Sequence, residues 1–195
     1  AVYARDEGNG SGNNFSRDSA RYSYDVVDES GNGYEERGQF NLRVIHSSEF
    51  GDVTADIGGS LQYGILESNG PQDDGDMFAG SVHGDFKWGN WTLTPQLTYY
   101  NYDVENNQQL GRDDLVQMGA YDFPTLVAAE AWMPAVSLSY YYEVSEVDWI
   151  DSITPYAEYS SIIKEADGFN DSDLIVLGSA IARGGWYIYT DLAFS

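Results

Sequence analysis

The chain has 195 residues, 42% of them hydrophobic and 15% aromatic, and 32 acidic against 9 basic side chains give a formal net charge of −23. That charge argues against a nucleic-acid partner, because neutralising phosphates takes clustered Lys and Arg. The absence of Cys excludes a disulfide framework and thiolate metal sites. No run of about 18 apolar residues is present to cross a membrane as a helix.

High net charge can also mark disorder, but here the apolar residues are periodic and the acids gather between the periodic segments. Residues 1–5 read as the end of a strand leading into the Gly/Asn-rich residues 6–14, and residues 21–27 as a weak strand. In residues 39–47, Phe40, Leu42 and Val44 alternate with Gln39, Asn41 and Arg43. Residues 53–66 are the cleanest case: Val53, Ala55, Ile57, Leu61, Tyr63 and Ile65 on one parity, Thr54, Asp56, Ser60 and Gln62 on the other. Residues 78–88 set Phe78, Val82, Phe86 and Trp88 against Ser81, His83, Asp85 and Lys87. Residues 91–99 set Trp91, Leu93, Leu97 and Tyr99 against Thr92, Thr94, Gln96 and Thr98. Residues 136–144 and 153–159 repeat the pattern, with Glu143 and Glu158 on the polar parity, and residues 174–183 and 186–194 are strand-like. Successive side chains of a strand point to opposite faces, so each segment predicts one apolar and one polar face.

The connections alternate in length. Short turns at residues 50–52, 88–90, 145–151 and 183–185 are interleaved with longer polar links at 28–37, 67–76, 106–130 and 164–173. Strands that meander through an outer membrane have short turns on one side and long loops on the other, whereas a Greek-key sandwich has no reason to alternate them. The expected fold is therefore all-β, an antiparallel meander of about nine strands forming part of a transmembrane β-barrel. Residues 1–195 then form a single barrel region, and an odd strand count makes both ends read as truncated.

Residues 38–63, the turn Trp88-Gly89-Asn90-Trp91 and the closing Ala182-Arg183-Gly184-Gly185-Trp186-Tyr187-Ile188-Tyr189 resemble the outer-membrane porins of Gram-negative bacteria. The closest style is the phosphate-selective porin O and P type. The resemblance is one of strands and turns over most of residues 34–195, not of a motif. It implies a barrel of about sixteen strands, usually a homotrimer, passing small polar or ionic solutes by diffusion without a cofactor. The family's basic phosphate-binding ladder has no counterpart, because the nine Lys and Arg are scattered. The expected surroundings are a lipid bilayer and lipopolysaccharide, in the bacterial outer membrane.

On this reading Gln39, Asn41, Arg43, Asp56, Gln62, His83, Asp85, Lys87, Gln96, Glu143 and Glu158 line a wet lumen whose charges tune ion selectivity, or hydrate an interior that holds a plug. Trp88 and Trp91 anchor the short-turn interface, and Tyr99, Tyr140, Tyr142 and Tyr159 form the opposite girdle, nearer the loops. Asp73, Asp74 and Asp76 crowd one acidic loop and carry a weak calcium reading without the full twelve-residue pattern. His46 and His83 have no Ser nucleophile motif beside them and no metal-ligand spacing, so no enzyme is expected. Residues 106–130 are too long for a simple link. They either fold into the pore as a constriction or stay outside, at an oligomer contact. The alternatives from other classes are a non-channel barrel with a structural or adhesive role, and a soluble acidic β-sandwich that binds carbohydrate through exposed Tyr and Trp.

Overall fold

A computed structural model of the chain describes residues 2–4, 26, 33–105, 112–120 and 123–195. The strands are β1 (Val2–Ala4), β2 (Tyr34–Phe50), β3 (Val53–Ser68), β4 (Gly75–Trp88), β5 (Trp91–Asp103), β6 (Leu115–Ala120), β7 (Phe123–Ala128), β8 (Glu130–Tyr140), β9 (Tyr142–Glu143), β10 (Ser152–Lys164), β11 (Ser172–Arg183) and β12 (Trp186–Phe194). They form one antiparallel meander in the order β1-β2-β3-β4-β5-β8-β10-β11-β12, with β9 beside β10 and β6-β7 as a separate hairpin. The expected all-β meander is thus observed, with nine strands along its main path. Of the weak strand at residues 21–27, only Val26 lies within the described residues, its carbonyl accepting from Glu36 N–H at 3.3 Å.

Glycine makes the tight turns. Gly51, Gly89 and Gly184 open the turns after β2, β4 and β11 with φ of 62°, 56° and 52°. Primed hairpin turns require positive φ at that position, and their twist matches the flanking strands. Six residues separate β3 from β4 and seven separate β10 from β11 at the other edge of the sheet. The link between β9 and β10 on the short-turn edge, residues 144–151, has eight, so the expected difference in length holds for the three glycine turns and not for this one.

Register fixes the faces. Leu42 stands opposite Leu61, Leu61 opposite Gly80, Gly80 opposite Tyr99 and Tyr99 opposite Trp132. One row nearer the short turns, Val44, Gly59, Val82, Leu97 and Pro134 line up in the same way. These rows alternate with ones such as Asn41, Gln62 and Ala79, so one face of the sheet is mainly apolar. The other is mainly polar on β2–β5 and carries small or apolar residues such as Met133, Ala135 and Val176 on β8 and β11. The apolar face is bare: Val44 and Val82 are both 62% exposed, and Leu61, Leu97 and Leu177 are exposed too.

The apolar cluster of the chain lies elsewhere. Val26, Tyr34, Leu66, Met77, Val104, Val116 and Ala129 are buried together at the long-connection edge, with Tyr102 and Val127 against them. Met77 and Tyr102 pair directly and belong to the polar-face phase of β4 and β5. A register shift between Glu36 and Gly38 leaves Arg37 as an extra residue. Such a bulge reverses the phase of the strand beyond it and so carries Tyr34 onto the same side. The β6–β7 hairpin therefore packs on the polar-face side of the sheet, at its long-connection edge. Residues 106–111 and 121–122 of the 106–130 segment lie outside the described residues.

Candidate functional site

The polar face is built from one parity of each strand. Gln39, Asn41 and Arg43 on β2, Asp56 and Gln62 on β3, His83, Asp85 and Lys87 on β4, Gln96 on β5 and Glu158 on β10 all share it. Glu143 on β9 joins them, because it stands opposite Ser152, which is in phase with Glu158. A single groove on this face touches Arg43 on β2, His83 on β4, Gln96 on β5, Ser137 on β8, Ser160 on β10 and Val176 on β11. In a flat sheet β2 and β11, six strand spacings apart, would lie about 29 Å apart. The groove runs over β4 to β11, and Arg43 joins it by reaching across β3 to His83.

Contacts within the face are polar and local. Arg43 Nη2 lies 3.0 Å from His83 Nε2; guanidinium nitrogens only donate, so Nε2 accepts and the imidazole carries its proton on Nδ1. Gly58 makes room for that ring, since a Cβ there would lie 2.5 Å from His83 Nε2. Lys87 pairs with Asp85 at 3.2 Å. Asp56 stands directly opposite Asp85, a like-charge pairing that is destabilising between strands. Asp56 is exposed and Asp85 half-buried, and a high dielectric around exposed charges keeps such a pair tolerable. His46 stands opposite Ile57, on the apolar face, so the two histidines cannot act together.

The apolar face is bounded by two aromatic belts. Toward the short turns Trp88 pairs with Trp91, and Trp91 meets Tyr140 edge-on with ring centroids 4.8 Å apart. Toward the long connections, Tyr63 donates to Asp76 (3.4 Å), Tyr99 to Glu130 and Tyr159 to Asp173 (2.7 Å). In all three the acid sits two residues beyond the Tyr's direct partner, namely Phe78, Trp132 and Ile175. The same diagonal recurs around the sheet and places a carboxylate at the rim of the apolar surface each time. From Phe78 to Trp88 is ten residues, about 34 Å along the strand, or about 26 Å at a tilt of about 40°. The apolar band of an outer-membrane barrel is about 25 Å tall.

Two expectations change. Tyr140 and Tyr142 belong to the short-turn belt and not to the opposite girdle, because Tyr140 pairs with Trp91 and Tyr142 with Ile153; Tyr99 and Tyr159 do lie on the long-connection side. Asp73, Asp74 and Asp76 do not converge: the Asp73 carbonyl accepts from Tyr34, Asp74 from Ser68 N–H and Asp76 from Tyr63. Among the described residues no group of three or more acids or histidines could hold a metal. A sandwich would bury its apolar face against a second sheet; among the described residues the other sheet, β6–β7, packs on the polar side and none covers the apolar face.

The alternation put Tyr141 and Tyr156 on the polar parity of their segments. It did not reveal the acids of the Tyr belt, which read as loop charges, nor that Tyr187 and Tyr189 share the polar face, because the phase of residues 186–194 is ambiguous. No protein-family model, curated protein or solved structure matches the chain.

Proposed function

We propose that this chain is part of an outer-membrane β-barrel whose apolar face meets lipid and whose polar face lines a diffusion path for small polar or ionic solutes. One observation carries the reading: a single-layer sheet with an uncovered apolar face, about one bilayer core in height and edged by aromatic belts. Among the described residues β1 pairs only with β2 and β12 only with β11, so closure is part of the proposal.

The charge of the path follows from its residues. Asp56, Asp85, Glu143 and Glu158 outnumber Arg43 and Lys87 on the polar face, so cations are favoured over anions. A non-channel barrel is the second reading, favoured by the β6–β7 hairpin over one end of the polar face. Purified protein is expected to need detergent and to migrate faster on gels before heating than after. In planar bilayers it is expected to conduct, with a reversal potential of cation-selective sign. Monodispersity without detergent would overturn the membrane placement, and folded protein that inserts without conducting would favour the plugged barrel.

A further inference from the structure

The polar face carries a second chemistry toward its short-turn edge. A groove there is lined by Tyr141, Tyr156, Tyr187 and Tyr189 together with Asp151 and Glu158. Tyr141, in the link between β8 and β9, and Tyr189 on β12 flank β10 and β11, about 14 Å apart over three strand spacings. Between them Thr154 stands opposite Ala180, and Ser152 opposite Ala182, so the floor is made of small side chains. Tyr156 closes one end. Its hydroxyl donates to Asp191 across Gly178, where a Cβ would lie 2.5 Å from the Tyr156 ring. The missing side chain and the hydrogen bond together fix that ring.

We propose that this groove binds a small organic cation of the alkylammonium class. Ring faces carry negative quadrupole density that attracts a bulky cation, and more strongly where water is partly excluded. Glu158 adds a full negative charge and makes no ion pair among the described residues. No Lys or Arg lines the groove, and the nearest guanidinium, Arg183, is paired with Asp151 at 2.8 Å. Anions are repelled by the carboxylates. A bare metal ion lacks converging oxygen ligands here, whereas an alkylammonium ion needs none. The inference rests on the water-exposed polar face of the preceding reading and names the solute class it retains.

The test uses the full chain in detergent, with choline as the probe and its uncharged isostere neohexanol and glucose as comparisons. Saturation-transfer NMR is expected to label the choline methyls, with neohexanol at least about tenfold weaker and glucose silent. Glu158→Gln is expected to weaken choline binding about tenfold and Tyr189→Leu about fivefold, each checked for folding by heat-modifiable migration. In bilayers choline is expected to reduce the potassium current, less so in both variants. Equal binding of choline and neohexanol, preference for glucose, or indifference to both substitutions overturns the site. Open channels with no choline binding sink the site and leave the pore standing; choline binding without conductance does the reverse.

Discussion

Individual residues on this sheet are constrained by what lies across from them. Gly58 is held small by His83 Nε2 at 2.5 Å and by the Val44 carbonyl at 2.8 Å from any Cβ. The imidazole can swing away but the backbone cannot, so Gly58→Val is expected to cost about 1–3 kcal/mol as overpacking, read from urea unfolding in lipid vesicles. It should also break the Arg43–His83 contact. Asp151 is a second such point. The Gly184 N–H at 2.5 Å, and then Arg183 at 2.8 Å, hold its carboxyl below the usual carboxylate range. A lowered folded value means that the stabilisation is present above the ordinary carboxylate range and is lost as pH falls through the folded value. Unfolding midpoints taken from about pH 7 down to about pH 2 are expected to fall in the wild type. In Asp151→Asn that part of the pH dependence should be absent.

Strands show the same logic in alternation. Ser81 and Val82 are neighbours on β4, yet they face opposite sides of the sheet. Val82→Arg places a charge in the middle of the apolar band and is expected to destabilise by about 2–4 kcal/mol, whereas Ser81→Arg should leave stability within about 0.5 kcal/mol. The second variant should instead move the reversal potential toward anions. Equal effects of the two would mean that the faces are not differently solvated. The hairpin of β6 and β7 is tied in by Val116, Leu66 and their neighbours. Leu66 is fully buried, so Leu66→Ala is expected to cost about 2–5 kcal/mol by urea unfolding. Replacing residues 112–128 with a Gly/Ser linker should raise single-channel conductance, because that segment covers the polar face at one end.

At the scale of the molecule, the widest apolar surface of the described residues is uncovered, and their buried apolar cluster sits at the long-connection edge of the polar side. Alternation by itself determined that each strand has an apolar and a polar face, because a period of two leaves no freedom about which side chains share a side. It placed Gln39, Asn41, Arg43, Asp56, Gln62, His83, Asp85, Lys87, Gln96 and Glu158 on one face, as the pairings then place them. Glycine spacing likewise located the tight turns. Relations between strands were beyond it. Cross-strand register decided that Tyr140 joins Trp91, that three tyrosines reach diagonal carboxylates, and that Tyr156 lies over Gly178. Register depends on turn geometry and on a single bulge at Arg37, each of which shifts pairings by a residue without altering any local pattern. The packing of β6 and β7 on the polar side was undetermined for the same reason: an apolar hairpin carries no mark of which face it will cover, and only the tertiary structure supplies the surface it meets.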